Sequence, residues 1–214
     1  MLLKLDLHVH TSHSQDALTD PQAVAEIAKS RGLDGVAVTE HDLLMPLESD
    51  NILIIPGIEV SSKEGHVLGL GGTTPVPKGL EAKRTIELLH EHGFLVVIPH
   101  PYDRSSPWVD PLRLGSSIDA IETINSSMIP FGSCKKKAEN AARTLGLPMV
   151  AGSDSHIPST IGDAYTLVET VAPTVESVLE SIRSGKTTPC GSSMSLGNRI
   201  RTLRTTLAKS LSIL

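Results

Sequence analysis

Five short apolar runs in this chain each lead into a residue that binds metal, and no other feature limits its fold as tightly. Residues 3–7 lead into His8-Val9-His10, and residues 35–39 into Glu40-His41-Asp42. Residues 52–55 are followed by Gly57-Ile58-Glu59, residues 94–98 by Pro99-His100-Pro101, and residues 147–151 by Gly152-Ser153-Asp154-Ser155-His156. Helical patterns lie between these runs. Asp20-Pro21 gives an N-cap with proline at the first helical position; Val24, Ile27 and Ala28 follow on one face, and Gly32 is the stop. Residues 80–92, 133–145 and 174–184 predict further helices, closed by Gly93, Gly146 and Gly185. Residues 66–70, 119–124 and 165–168 complete the set of strands. The run at 94–98 is apolar throughout, as in a strand buried on both faces.

Strands alternating with helices argue for parallel strands joined by crossovers. Six or seven such units in about 190 residues suit a compact barrel, whereas an eightfold barrel usually takes about 250 residues. The expected fold is therefore α/β, a distorted seven-stranded TIM-like barrel over residues 1–190. A basic amphipathic helix or tail is expected over residues 191–214, with Leu196, Ile200, Leu203, Leu207 and Leu211 at helical spacing. Packing on the barrel, self-association and RNA contact are all open to that tail. An open doubly wound sheet is the rival, but no glycine-rich turn follows the first strand to receive a nucleotide.

In a parallel barrel the strand C-termini share one face, where active sites are built. Side chains two apart on a strand share a side, so His8/His10 and Asp154/His156 form natural pairs. Asp16 lies in the loop beyond His10. His66 stands at the start of its strand, a position that this rule does not explain. Six histidines and three carboxylates are too many for one four-coordinate ion and suit two or three. Imidazole and carboxylate without thiolate suit zinc, manganese or iron. Two cysteines exclude a disulfide scaffold and a cysteine-rich zinc site.

The net charge of −5 is unevenly spread. The last eighteen residues carry Arg199, Arg201, Arg204 and Lys209 and no acid, which leaves fifteen basic and twenty-four acidic groups on residues 1–196. A basic cleft for nucleic acid is not advertised, and five aromatic residues are too few for a stacking platform. No apolar run approaches the roughly 20 residues that span a bilayer, and the N-terminus lacks a secretory pattern. A cytoplasmic protein with no membrane partner is expected.

These residues together resemble the PHP family, the polymerase and histidinol phosphatase group of metal-dependent phosphoesterases. The matching stretches are Asp6-Leu7-His8-Val9-His10-Thr11 with Ser14 and Asp16, Thr39-Glu40-His41-Asp42, Gly57-Ile58-Glu59, Gly65-His66, His100-Pro101 and Gly152-Ser153-Asp154-Ser155-His156. One HxH is weak evidence; six motifs in the family's order are strong. The resemblance implies a PHP-type distorted (β/α)7 barrel with up to three divalent ions. His8, His10, Glu59 and Asp154 would hold the first, and Glu59 would bridge to a second held by His66 and His100. Asp16, His41 and His156 would hold a third. Some relatives have histidine at the place of Asp16; the carboxylate makes that site harder and favours manganese or iron. Glu40 replaces the family's usual aspartate and reads as a supporting residue beyond the ligands.

The implied activity is hydrolysis of phosphate esters. Two ions about 3.5–4 Å apart bind a bridging water, lower its pKa and clamp the phosphoryl oxygens. The expected attack on phosphorus is in line, by a bridging hydroxide opposite Glu59. Glu59, Asp154 and Arg104 are the expected catalytic residues, with Arg104 gripping phosphate as a fork. A surface-loop role is the plain alternative for Arg104. Glu122 and Asn125 suit either support of the ligands or strand packing. His13, His90 and His92 read as loop and helix-end residues, and Lys135-Lys136-Lys137 as a solvated face. A small phosphomonoester or nucleotide is the favoured partner, ahead of RNA or DNA ends. An amidohydrolase-type barrel also begins with HxH, but Glu59 on the third strand and the closing Asp-x-His disfavour it. A non-catalytic metal-binding domain would show degenerate ligands, and all nine positions are filled.

Overall fold

A computed structural model describes residues 1–212, with side chains through Arg204. Leu207 and Leu211 of the predicted tail therefore lie outside the described side chains. The chain runs β1 (Leu2–Val9), α1 (Val24–Ser30), β2 (Gly35–His41), β3 (Leu53–Ser61), β4 (His66–Leu70), α2 (Ala82–Glu91), β5 (Leu95–Ile98) and α3 (Pro111–Leu114). It continues through β6 (Ala120–Asn125), α4 (Phe131–Leu145), β7 (Met149–Gly152), β8 (Ala164–Glu169), α5 (Val175–Arg183), β9 (Thr187–Gly191) and α6 (Leu196–Ser212). Among the described residues no helix is long and apolar enough to cross a membrane.

The strands form one sheet in the order β7-β6-β5-β4-β3-β2-β1-β8-β9. It curls into a distorted barrel because the chain beyond β7 returns to β1. Val9 and Ser155 form a parallel bridge, Asp154 N donates to His8 O (2.8 Å), and His10 N donates to Ser155 O (3.0 Å). At the opposite end threonine hydroxyls take the place of a ladder. Thr166 Oγ1 bonds Ala151 N and O, and Thr187 Oγ1 donates to Met149 O.

The interior is filled by alternate residues of the strands, among them Leu5, Leu7, Ile55, Leu68 and Val97. Val178, Leu179 and Ile182 of α5 close its floor. Helices α2 and α4 cover the outer face through Ile86, Leu89, Ala138 and Ala142. Burying side chains of this size contributes about 1.5–3 kcal/mol each, which is why the apolar alternation fixes which face of each strand points inward.

Three features depart from the parallel pattern, the first being β8, which pairs antiparallel with β1 with Leu5 opposite Thr166. Strand β4 is antiparallel to both β3 and β5, with Ser61 opposite His66 and Leu68 opposite Val97. Only four residues join β3 to β4, and a parallel crossover takes a dozen or more. Strand β9, absent from the sequence reading, pairs antiparallel with β8 at the sheet's edge, where Pro189 is tolerated. Strand β3 is also longer than the run at 52–55. Gly57 lies inside the strand opposite Thr39, and a Cβ there would meet Thr39 Cγ2 at 2.7 Å.

Candidate metal centre

The reversal of β4 explains His66: the N-terminal end of this strand lies at the mouth to which the parallel strands bring their C-terminal ends. Six elements therefore deliver donors to one place. His8 comes from β1 and His10 just follows it; Asp16 lies on the next loop. His41 ends β2, Glu59 lies near the end of β3, and His100 follows β5. Asp154 and His156 follow β7. A bulge between Asp6 and Val9 locally shifts the register of β1, re-aiming the side chains beside it. His100 (φ 32°) and Asp154 (φ 53°) hold left-handed backbone, a conformation costing about 1–3 kcal/mol that persists where function demands it.

Glu59 is the centre of the cluster. Its Oε1 lies 2.9 Å from His100 Nε2, 3.1 Å from His66 Nδ1 and 3.5 Å from His8 Nε2. Its Oε2 lies 2.9 Å from His41 Nδ1 and 3.4 Å from His10 Nε2. Asp154 Oδ1 stands 3.4 Å from His10 Nε2, 3.6 Å from His8 Nε2 and 3.5 Å from His156 Nδ1. Asp16 Oδ2 faces His156 Nε2 (3.2 Å) and His41 Nε2 (3.6 Å). All nine predicted ligands thus meet. Three subsets have donor atoms within 4.8 Å of one another: His8/His10/Glu59, His41/Glu59/His66 and His10/His41/His156. His41 and His10 stand between subsets, so the division into three separate ligand sets is less sharp than the motifs imply.

The residues fit divalent cations on their own geometry. His8 Nδ1 donates to Glu122 (3.2 Å), His10 Nδ1 meets Ser14 Oγ (3.3 Å), and His156 Nδ1 meets its neighbour's carbonyl at Asp154 (3.0 Å). These outer bonds turn three Nε2 lone pairs into the cluster. His8 Nε2 and His10 Nε2 lie 3.1 Å apart, an approach that two lone pairs tolerate only with a proton or a cation beside them. Among the described residues His100 Nδ1 and Asp16 Oδ1 are buried without a hydrogen-bond partner, and Glu59 Oε2 and His66 Nδ1 have close neighbours but no well-aligned hydrogen bond. Orphaned groups of this kind in a dry site are strongly disfavoured unless an ion satisfies them. The donors are all nitrogen and oxygen, a set that suits zinc, manganese or iron.

Sequence reasoning left the supporting residues open. Glu122 accepts from His8 Nδ1 and, through Oε2, from His100 N (2.8 Å) and Asn125 Nδ2 (2.9 Å). Asn125 Nδ2 also reaches Asp154 Oδ2 (3.3 Å). Both residues therefore orient ligands. Glu40 is buried and accepts from Thr11 N, Thr11 Oγ1, Ser14 N and Ser14 Oγ, clamping the turn that leads to Asp16. Its longer side chain spans to that turn. His90 pairs with Asp119 and His92 with Thr74 O, both exposed and away from the cluster.

Arg104 is not brought to the cluster. Its amide donates to Ile129 O (3.0 Å), and Asp103 turns the loop by accepting from Ser105 N and Ile129 N, which leaves the Arg104 side chain exposed. A cavity of about 340 Å³ opens onto the cluster. Its outer walls are Asp103, Ser105, Ser106, Pro107, Ser127 and Thr202, with no lysine or arginine among the described lining residues. The hydroxyl walls carried no sequence signal, since serine is common in any loop.

Burial alone would push these imidazoles towards neutrality and the carboxyls towards protonation. At His8 burial is overcome by Asp154, Glu122 and Glu59, which raise it well above the ordinary histidine value. Glu59 and Asp16 likewise overcome burial and raise His41 to about 11. His100 and His156 rise for the same reason, beside Glu59 and Asp16 respectively. Glu59 and Asp154 are held well below the usual carboxylate range by the imidazoles, against burial. His10 is lowered, by burial and then by its neighbours His156 and His41. These shifts favour protonated imidazole at His8, His41, His100 and His156 when no cation is bound. A cation binds only neutral imidazole, so its uptake must release those protons, and affinity must fall as pH falls. Calorimetric titration with manganese or zinc is expected to show about tenfold weaker binding per pH unit for each proton displaced, between about pH 8 and pH 6. Affinity that stays flat over this range would contradict the protonated cluster.

The chain is similar to known proteins over most of its length. A PHP domain model matches residues 6–101 and a PHP-associated model matches residues 133–187. A probable phosphatase of Shewanella frigidimarina is 27% identical over 222 aligned positions, covering 84% of this chain and 89% of that protein. Among solved structures, a two-domain protein of Bacteroides vulgatus containing a predicted PHP-like metal-dependent phosphoesterase superposes with a TM-score of 0.73 at 19% identity, covering 98% of this chain and 70% of the other. A lesion-specific endonuclease of Pyrococcus furiosus superposes with a TM-score of 0.62 at 18% identity, covering 94% and 66% respectively. At these identities the two structures establish the shared fold.

Proposed function

From the premise that this chain carries a PHP domain followed by a PHP-associated segment, we propose that it is a metal-dependent hydrolase of phosphate esters with a preference for small phosphomonoesters or nucleotides. The observation that carries this reading is Glu59, whose two oxygens face five imidazoles from four different segments of the barrel mouth. His8, His10, Glu59 and Asp154 would hold one ion, Glu59, His66 and His100 a second, and Asp16, His41 and His156 a third. When bound, such ions supply positive charge to the phosphoryl oxygens and acidity to an attacking water.

The chain's own residues set the stage for that chemistry. Glu122 and Ser14 fix the outer nitrogens of His8 and His10, so both Nε2 atoms point inwards without rearrangement. The buried cluster excludes bulk water from its inner side, which strengthens each charge interaction there. Ser105, Ser106, Ser127 and Thr202 place hydroxyl oxygens where the ester enters, those of Ser105, Ser127 and Thr202 donating to Asp103, Asp154 O and Met194 Sδ and so acting towards a substrate as acceptors. They favour a polar, hydroxylated leaving group. Among the described residues this cavity has no lysine or arginine in its lining, and the nearest cation found in a cavity wall is Lys78 of the neighbouring cavity that shares Asp16 and His41. A cavity of about 340 Å³ has room for a small ester, and a second of about 500 Å³ adjoins the cluster at Asp16 and His41.

A panel of phosphomonoesters and short oligonucleotides tests the reading, using protein reconstituted with manganese, zinc or iron. Hydrolysis of monoesters that is lost in both His8→Ala and Asp154→Ala is the expected result. Turnover surviving both substitutions would remove the assignment. Turnover of oligonucleotides alone would make the chain a phosphodiesterase acting on nucleic-acid ends.

A further inference from the structure

The segment beyond β9 returns to the barrel mouth. Met194 is buried, and its amide donates to Ser126 O (2.8 Å). Five residues later, on α6, the Arg199 guanidinium donates to Ser127 O (2.9 Å), Ser126 O (3.2 Å) and Met128 O (3.3 Å), and to Ser193 Oγ (2.8 Å). A planar fork with five N–H donors can serve three carbonyls at once; an ammonium is a less directional point charge. The segment held in this way is the loop after β6. Ser127 of that loop lines the cavity, and its Oγ donates to Asp154 O (3.3 Å). One helical turn beyond Arg199, Thr202 lines the same cavity. The loop that supports Asp154 is therefore also the anchor of α6.

We propose that α6 is a wall of the substrate cavity that sets the size of ester reaching the metal centre, with Arg199 as its positioning residue and Thr202 as its specificity residue. The proposal rests on the phosphoesterase reading and deepens it, because the space between the 103–107 loop, Ser127 and Thr202 is what a leaving group must occupy. The class that fits is the phosphomonoester of a small hydroxylated alcohol.

The test compares kcat/KM for a bulky ester, a 5′-phosphorylated tetranucleotide, with that for a glycerol-sized phosphomonoester, in the full chain. Arg199→Ala frees the helix and should raise the bulky-to-small ratio about tenfold, and Arg199→Lys should restore it only in part. Thr202→Trp fills the mouth and should lower the ratio by about the same factor. A second readout needs no turnover. Carbethoxylation of the partly exposed His66 and His156 by diethyl pyrocarbonate, in metal-free protein, should be faster in Arg199→Ala and slower in Thr202→Trp. Ratios unchanged in both variants overturn the proposal, even where carbethoxylation responds. If the parent protein cleaves no ester at all, the phosphoesterase reading fails. The wall is then judged on carbethoxylation, and unchanged rates overturn it.

Discussion

Glu59→Ala is expected to lower hydrolysis by at least about a thousandfold and to reduce the bound metal together with it. The carboxylate touches two of the three donor subsets directly and lies beside His10 and His41 of the third. Its removal leaves the imidazoles of His8, His66 and His100 without the acid that they share. Asp16→Ala makes the informative contrast. Asp16 faces only His41 and His156, so its loss should cost one ion and leave the other two bound. Metal analysis of both variants alongside their kinetics separates the cases. Activity of Glu59→Ala within tenfold of the parent would show that the central carboxylate is dispensable and that the cluster is not the catalytic centre.

Gly152→Ala is expected to destabilise the fold by about 3 kcal/mol or more. The glycine ends β7 where the barrel closes. A Cβ there would stand 2.4 Å from His8 Cβ, 2.8 Å from His8 N and 2.7 Å from Glu122 Oε1. None of these is the free end of a flexible side chain: two belong to β1, and the third is committed to His8 Nδ1. The clash can be relieved only by moving β7 away from β1, which also stretches the bonds from Asp154 N to His8 O and from His10 N to Ser155 O. Urea unfolding gives the stability and metal analysis gives the second consequence, a weakened hold on the ions by Asp154 and His8. A stability change below about 0.5 kcal/mol would mean that the strands are not packed this closely.

The histidine and carboxylate motifs were legible because a strand end is a local pattern. An apolar run followed by His-Val-His or Asp-Ser-His can be read without knowing what lies beside it. The helix stops at Gly32, Gly93 and Gly146 were legible for the same reason, and all three glycines have positive φ. Strand β9 was not legible, because Thr-Thr-Pro is a turn pattern anywhere except at a sheet edge. Glu122 and Asn125 were ambiguous, since a buried polar residue on a strand reveals its partners only in three dimensions. Arg104 was not legible either: the loop after His100 does reach the cavity, but through Asp103, Ser105 and Ser106, while the Arg104 side chain between them is exposed.

The sequence alone therefore determined the donor types, their number and the barrel that gathers them, since periodicity and residue chemistry are properties of short segments. Tertiary structure alone decided that β4 runs backwards and so brings His66 to the mouth, and that one carboxylate serves five imidazoles. It also decided that a helix beginning some forty residues after His156 walls the same cavity. Those outcomes depend on which surfaces pack together across the chain, and packing between distant segments leaves no periodic trace in either segment.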